Sequence, residues 1–449
     1  MIVTALETND RSESSLEEEA IIRKIAWRLM PLIIVCYLFA FFDRINISFA
    51  KTGLQTDLGL SNVAYAFGAS LFVVGYVLFE VPSNLLLYRY GPRRWIAQII
   101  IAWGLATASM VFIWDEWQFY GLRFLVGAME AGFAPGIIYY LTLWFPKQYR
   151  GRMTSTFFLA TAFSGIIGAP ISGMVLNYTN GAFGLEGWRW LFLLGGLPSV
   201  ALGAIVLIRF DDRVEDAAWL EPNERRMIAR QLREQKQLHK QPQDTDMWSL
   251  LRGFAGPHVL LLGLIYFLIQ LASYGLNFWG PDLIKSAGSS NSALLGLLTA
   301  VPYVCGAITM IVIGRMSDRT GERAKFVAGL ILASAAGFFA AGYFDQHVVL
   351  VIGALAIIGA GVLAAIPAFW NLPPKIMTGV DAAGGIALIN TLGQLGGIVS
   401  PSLIGLVKDY SGSTAPALYA IGGLCVLCGL LVLFALPQTL TMNDRVATS

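Results

Sequence analysis

The sequence predicts an all-α polytopic membrane protein, with twelve transmembrane helices arranged as two pseudo-symmetric six-helix bundles. Hydrophobic residues occupy 56% of the 449 positions and charged residues only 13%, whereas about a quarter of a soluble domain is charged. The mean hydropathy is +0.63, and apolar runs of about 20 residues, the length that crosses a bilayer, recur along the chain. One polar stretch near the middle divides these runs into two sets of six.

Each predicted span is an apolar run that ends at polar or turn-forming residues. The spans lie near 28–50, 61–88, 93–113, 117–145, 152–178 and 188–209, and then near 257–284, 292–314, 325–343, 348–374, 383–409 and 415–436. The predicted organisation is a tail at 1–24, a first bundle at 25–209, a linker at 210–256, a second bundle at 257–437 and a tail at 438–449. The arginine-rich first part of the linker is typical of an amphipathic surface helix.

The basic residues predict how the chain is oriented. Of the 31 lysines and arginines, two fall within spans and nearly all others lie on the side that carries both termini and the linker. The four on the opposite side are Lys51, Arg189, Lys285 and Lys408. Because lysine and arginine accumulate in cytoplasmic loops, we expect both termini in the cytoplasm. Residues 1–22 are acidic and resemble no cleavable signal, so we expect a multi-pass protein of a bacterial inner (plasma) membrane.

Four charged residues stand inside apolar spans. Asp43 and Arg44 follow about fourteen mostly apolar residues, which places them ~20 Å into a bilayer core that is ~30 Å thick. Arg123 and Glu130 are two helical turns apart on one face of the fourth span, with Gly127 between them. Ionised groups at such depth are costly and usually functional. The alternatives are a self-neutralising structural ion pair and, for Arg123, a side chain that snorkels to the interface.

These four residues are formally neutral together, and that balance predicts a mechanism. With both acids ionised, each guanidinium has an internal partner. Protonation of Asp43, Glu130 or both would free an arginine, whose planar fork binds a carboxylate through two hydrogen bonds. Proton and anion would then favour each other's binding, which is symport.

Two pairs of motifs repeat at matching places in the two halves. GRMSDRTGERAK follows the eighth span and NLLLYRYGPRRW follows the second, so that Gly321 and Arg323 align with Gly91 and Arg93. GIIGAPISGMVLNY in the fifth span likewise matches GIVSPSLIGLVKDY in the eleventh. Parallel repeats of six helices are typical of transporters whose substrate site lies at the midplane between the halves.

The pattern GxxxDxxGxR in the second half resembles the cytoplasmic-loop signature of the major facilitator superfamily. Together with FFDRINISFA, GYVLFEVPSNLLLYRYGPRRW, RFLVGAMEAGFAPG and YLTLWFP, it makes residues 25–437 resemble the anion:cation symporter branch of that superfamily. The first copy of the pattern departs from it, with Asn84 and Tyr88 in place of the first Gly and the Asp. The resemblance implies an organic-anion transporter driven by protons, with sodium as the alternative coupling ion and no cofactor.

The resemblance also implies roles for individual residues. It gives proton coupling to Asp43 and Glu130, and anion binding to Arg44 and Arg123. Further substrate-binding candidates, each balanced against ordinary packing or interhelical hydrogen bonds, are Tyr76, Thr161, Trp370, Asn390 and Gln394. The expected cytoplasmic latch between the halves comprises Gly314, Asp318, Arg319, Arg323 and Arg93. The prolines of PAFWNLPPK in the tenth span are expected to break its helix beside Trp370.

The substrate class follows less directly. Pro367, Phe369 and Thr161 stand where some sugar-acid transporters of this branch have polar residues, which disfavours a sugar acid and leaves a small hydroxy-dicarboxylate such as tartrate or an aromatic carboxylate. The stretches FWNLPP and ALIN resemble tartrate-type members, which favours the hydroxy-dicarboxylate. A drug:proton antiporter is a further alternative, although two intramembrane arginines favour anions. An enzyme has no supporting motif, since the cysteines and histidines form no ligand pattern, and no signalling domain supports a receptor. We expect a monomer whose partners are the bilayer and a small organic anion, without nucleic acid.

Overall fold

The computed structural model describes residues 2–238, 256–289, 291–373 and 380–436, and all regular secondary structure in these ranges is helical. The first half and the linker contain α1 (Ile2–Leu58), α2 (Asn62–Tyr90), α3 (Pro92–Ser109), α4 (Glu116–Glu130), α5 (Phe133–Trp144), α6 (Lys147–Tyr178), α7 (Gly187–Arg209) and α8 (Pro222–Leu238). The second half contains α9 (Pro257–Ser286), α10 (Ser292–Thr320), α11 (Arg323–Tyr343), α12 (Val348–Phe369), α13 (Val380–Gln394), α14 (Gly396–Ser411) and α15 (Ala415–Leu430).

Eleven helical segments among the described residues are long and apolar enough to cross a membrane. The eleventh predicted span is present as α13 and α14, two shorter helices interrupted at Leu395. The fourth is bent between α4 and α5, where Gly132 has a φ of 87° that a residue with a side chain rarely adopts. The all-α polytopic fold is thus confirmed.

Two predicted boundaries differ from those in the structure. Helix α1 covers most of the predicted tail and continues past residue 50 to Leu58, so that Lys51 lies in a helix rather than in a loop. Helix α12 ends at Phe369, as the prolines predicted, and Trp370 and Asn371 form a turn. Pro374, together with linker residues 239–255, lies outside the described residues.

The internal repeat is visible in the helix packing. The aligned Gly91 and Gly321 both follow the end of a helix with a positive φ, 84° for Gly91 and 73° for Gly321. Helix α6 of the first half packs on α10, and α14 of the second half packs on α2. A Cβ atom on Gly173 of α6 would lie 2.3 Å from the Ser292 carbonyl oxygen, and one on Gly405 of α14 would lie 2.7 Å from that of Asn62. Equivalent glycines therefore allow equivalent contacts between the halves.

The bundle has two unlike ends. We call the end with α8 and the loops around 91, 150 and 321 the basic end, because it carries most of the lysines and arginines. We call the other the closed end, because hydrogen bonds among the described residues join the halves there. Asp409 accepts hydrogen bonds from the Asn62 and Val63 amides at 3.2 and 2.8 Å, and Lys285 donates to Thr52 at 3.0 Å.

Contacts between the halves weaken toward the basic end. Glycines of α6 and α10 touch near the closed end, yet Gly314, further along α10, has no atom of another element within 4 Å of the place where a Cβ would lie. Helix α8, where the sequence predicted an amphipathic helix, lies at this end and is tied to α1 by an ion pair of 2.8 Å between Lys24 and Glu224. The face of α10 that carries Gly314 is therefore open at the basic end.

Candidate substrate and proton site at the bundle centre

Two glycines bring α2 and α4 into close contact at the centre of the first half. A Cβ atom on Gly127 would lie 1.9 Å from the Phe72 carbonyl oxygen, and one on Gly75 would lie 2.3 Å from that of Phe124. No other residue type fits at such distances, so the two backbones touch. This contact sets the Phe72 and Tyr76 side of α2 against the charged face of α4.

The central contact of the site is an ion pair between α1 and α4. Arg44 donates from Nε at 2.9 Å and from Nη2 at 2.5 Å, and both hydrogen bonds end on Oε1 of Glu130. The other carboxylate oxygen, Oε2, is buried and has no hydrogen-bond partner. The Glu130 side chain is 2% exposed and that of Arg44 17%, so the arginine is the member of the pair that a ligand reaches.

Aromatic rings surround the Arg44 guanidinium. Its central carbon lies 4.9 Å from the ring centre of Phe41, 5.1 Å from that of Phe72 and 5.2 Å from that of Tyr76. Such contacts favour a cation through the negative face of the ring. They also hold the guanidinium plane in place, so the predicted candidate Tyr76 lies beside the predicted anion-binding residue.

Asp43, the neighbour of Arg44, points away from that ion pair. Its Oδ2 accepts a hydrogen bond of 2.7 Å from the Thr107 hydroxyl of α3. The residue is 3% exposed, and its Oδ1 has no hydrogen-bond partner. The two acids of the site thus have different surroundings, one facing a hydroxyl and the other a guanidinium.

Arg123 is enclosed completely. The residue is 0% exposed, and none of its three guanidinium nitrogens has a hydrogen-bond partner. It does not snorkel, and no carboxylate among the described residues lies within ion-pair distance of it, unlike the pairing that the charge count predicted. Its main neighbour is Phe72, whose ring centre is 4.9 Å from the guanidinium carbon. Phe72 therefore contacts both arginines of the site.

The candidates from the second half lie near the same level. Gln394 accepts a hydrogen bond of 2.6 Å from the Tyr274 hydroxyl, and a Cβ on Gly397 would meet both Tyr274 and Val73 of α2. Asn390 donates to Glu80 of α2 at 3.3 Å. These contacts bring α13 and α14 against the face of α2 that carries Tyr76.

The other two substrate candidates are held by local contacts. The half-buried Trp370 packs edge-on against Tyr266, with ring centres 4.9 Å apart. Thr161 donates its hydroxyl to the Phe158 carbonyl oxygen one turn earlier in α6, and no described residue of another helix forms a hydrogen bond with it. Their roles in substrate binding stay predictions.

The predicted gating residues lie at the basic end. Gly314 and the exposed Arg319 are on α10, and Arg323 begins α11. Arg93 donates from its side chain to the Leu207 carbonyl oxygen, and its amide donates to Asp212, so it is bound within its own half. The Asp318 side chain lies outside the described residues. The latch between the halves stays a prediction.

Sequence reasoning did not single out Phe72, Thr107 or the ion pair between Lys51 and Asp282 at the closed end. Phe72 and Thr107 have no sequence signal, because both owe their position to the packing of neighbouring helices. Lys51 had one, since it lies seven residues after Arg44 and therefore on the same face of α1.

Two parallel six-helix halves around a buried charged centre are the architecture of a secondary transporter. The profile of the Major Facilitator Superfamily matches residues 33–401 and 262–448, and the chain belongs to that family. It is 41% identical over 417 residues to a protein of Agrobacterium vitis that bears the name tartrate transporter, covering 93% of this chain and 91% of the relative.

Other relatives bear different substrate names. The metabolite transport protein NicT of Pseudomonas putida is 40% identical, with 94% of this chain and 95% of the relative covered. A quinolone resistance transporter of Acinetobacter baumannii is 36% identical, with 93% and 95% covered. The crystal structure of a D-xylose-proton symporter superposes with a TM-score of 0.74 over 92% of this chain and 98% of that one, at 16% identity, which supports the fold alone. The protein is a transporter and not an enzyme.

Proposed function

We propose that this protein imports a small organic carboxylate together with protons by alternating access. The observation that carries the proposal is the Arg44–Glu130 pair, in which the partly exposed guanidinium is held by the buried carboxylate. An anion that reaches Arg44 competes with Glu130 for the same donors. A proton on Glu130 removes that competition, so that each ligand favours the other's binding.

The surroundings of the pair support the same assignment. The guanidinium is held in one orientation by three aromatic rings, and a fixed fork suits the two oxygens of a carboxylate. Asp43 lies next to Arg44 in the chain but is bound to Thr107, which leaves Glu130 as the acid directly linked to the anion site. Asp43 is then the second proton-coupling acid, held by Thr107 rather than by an arginine.

The side of the membrane on which the closed end lies decides which state of the transport cycle the structure represents. With the basic end in the cytoplasm, as the distribution of lysine and arginine favours, the hydrogen bonds that join the halves at the closed end lie on the outer side. These contacts support the assignment of this structure to the inward-facing state, from which an imported anion leaves. Rocking of the halves would separate the outer contacts and close the basic end, where Gly314 and Arg319 lie.

The substrate we favour is a hydroxy-dicarboxylate such as tartrate, because the relative from Agrobacterium vitis bears that name. An aromatic carboxylate is the second candidate. Tyr76, Tyr274 and Trp370 supply aromatic surface at the level of Arg44, and quinolones, named for another relative, themselves carry a carboxylate on an aromatic ring.

A binding screen followed by a flux measurement tests the proposal. Purified protein is heated with L-tartrate, D-tartrate, a sugar acid, phthalate, hydroxyphenylacetate and a quinolone, and a ligand of the inward-facing state raises the melting temperature. The best ligand is then offered to proteoliposomes that are acidic outside. We expect accumulation that a protonophore abolishes. Accumulation that needs sodium, or efflux of a cationic drug instead, would contradict the proposal.

A further inference from the structure

A second buried charge cluster lies at the closed end, outside the central site. The Lys51 ammonium of α1 is 2.9 Å from Oδ1 of Asp282 on α9, and Oδ2 of the same carboxylate accepts a hydrogen bond of 2.6 Å from Lys408 on α14. Lys51 is 1% exposed. The ammonium and the carboxylate therefore form a buried ion pair between α1 and α9.

The three residues divide unequally between the halves. Asp282 and Lys408 belong to the second half and Lys51 to the first. The Lys51 ammonium also lies 3.8 Å from the ring centre of Trp279, again in the second half. When the halves separate at this end, Asp282 keeps Lys408, whereas Lys51 loses both the carboxylate and the indole. Its remaining neighbour in its own half is the Tyr65 ring, 5.7 Å away.

The position of Lys51 along α1 gives the released charge a function. Lys51 is seven residues beyond Arg44, which is two helical turns on the same face and ~10 Å toward the closed end. In the outward-facing state an ammonium therefore stands above the guanidinium on the wall of the opened cleft. A charge at the mouth of a cleft with low-dielectric walls raises the local concentration of the opposite charge.

We propose that Lys51 has two roles. Its ion pair with Asp282 keeps the halves together at the closed end, and in the open state it is the first binding site for the arriving anion. Bound to Asp282, it holds the outer side shut. Released, it attracts a carboxylate that then passes to Arg44. The second part rests on the proposed function, whereas the first needs only the orientation of the chain argued there.

Two substitutions separate the roles. Asp282→Asn removes the carboxylate that Lys51 and Lys408 share, and it leaves the buried Lys51 and the neighbouring Lys408 as uncompensated charges, which disfavours the closed state. Lys51→Gln, introduced into Asp282→Asn, removes the cation of the first half and leaves Lys408 as it is in Asp282→Asn. Lys285→Gln is the matched control, because it deletes an exposed lysine at the same end whose contact with Thr52 is only a hydrogen bond.

The reporter is Ser70→Cys on α2, in a background with the four native cysteines replaced by alanine. Ser70 is 3% exposed, and its hydroxyl lies 3.2 Å from that of Ser402 in the other half, so a reagent from outside reaches it after the closed end opens. Intact cells are treated with anionic sulfonatoethyl or cationic trimethylammonioethyl methanethiosulfonate, which have similar size and opposite charge.

We expect Asp282→Asn to raise the labelling rate about tenfold or more and to favour the anionic reagent. Adding Lys51→Gln to Asp282→Asn should lower the ratio of anionic to cationic labelling about threefold or more relative to Asp282→Asn alone, because these two proteins differ only at Lys51, and Lys285→Gln should match the parent. Unchanged labelling in Asp282→Asn would show that the ion pair with Lys51 does not keep the closed end shut. An equal reagent ratio in the two variants would show that Lys51 does not attract the anion. Neither readout needs a substrate, so failure of carboxylate transport in proteoliposomes is recognised separately.

Discussion

Replacement of Arg44 by lysine keeps the positive charge at the centre of the bundle and removes the planar guanidinium, which can donate two hydrogen bonds to one carboxylate. Arg44 now directs two donors, Nε and Nη2, at one carboxylate oxygen of Glu130, and we expect the same two donors to hold the substrate carboxylate. A lysine ammonium on a flexible stem replaces them with a single point of contact. The ion pair with Glu130 retains its charge balance, so the fold should tolerate the change.

The expected decrease in transport efficiency follows from the number of hydrogen bonds that the substitution removes. One charge-assisted hydrogen bond is worth ~1.5–3 kcal/mol, and each ~1.4 kcal/mol is a factor of ten. Arg44→Lys should therefore lower kcat/KM for carboxylate uptake by ~10- to 100-fold. The rates come from initial uptake into proteoliposomes with an imposed proton gradient. The melting temperature of the purified variant should change little.

A matched substitution controls for a general effect of replacing arginine by lysine. Arg89 lies at the basic end and its guanidinium stacks near Tyr90, 5.7 Å from the ring centre, so Arg89→Lys should transport like the parent. Parental uptake kinetics in Arg44→Lys would refute the assignment of Arg44 as the carboxylate clamp. Equal losses in both variants would point to a general defect instead.

Three further predictions concern coupling and packing. Glu130→Gln should abolish accumulation driven by a pH gradient while counterflow exchange continues, because the amide cannot exchange a proton; intact accumulation would remove Glu130 from the coupling. Acidifying the outside should increase uptake, since a proton must arrive with the anion, and a rate indifferent to external pH would reject proton symport. Gly127→Ala should lower the melting temperature, because overpacking costs ~1–3 kcal/mol where the new Cβ would lie 1.9 Å from the Phe72 carbonyl oxygen. Gly121→Ala on the same helix meets no atom within 4 Å and should leave the temperature unchanged or higher.

The sequence was sufficient for the architecture because length and hydropathy alone determine which segments can cross a bilayer. Periodicity also placed Arg123 and Glu130 on one face of a helix, as the structure has them. The break in the tenth span followed from the restricted backbone of proline. Each of these features depends on local sequence, and each was visible without knowledge of the neighbouring helices.

The pairing within the site was not visible, because it depends on how helices rotate and cross. The charge count suggested one acid for each arginine, yet Glu130 holds Arg44 while Arg123 is left against Phe72. Thr107 takes Asp43 because α3 packs beside α1 at that level, which no spacing along the chain indicates. The fold and the shared helical face of Arg123 and Glu130 were thus predicted correctly, whereas the partner of Arg123 was not.

The burial of Lys51 also depends on helix packing that the sequence alone does not show. If the first span ended near residue 50, Lys51 would be an ordinary charged residue in a loop. Because the helix continues for eight further residues, Lys51 is instead a buried cation. A charged residue near the end of a span is either exposed in a loop or buried in a helix, and for Lys51 the packing of α9 against α1 decides between the two.

The central claim is that proton and anion bind together because Glu130 and the substrate compete for Arg44. Titration calorimetry of the purified protein with its best carboxylate ligand, repeated in buffers of different ionisation enthalpy, counts the protons that binding takes up. At a pH where Glu130 is ionised we expect uptake of about one proton per anion, and less in Glu130→Gln. Binding of the anion with full affinity and no net proton uptake would contradict the account.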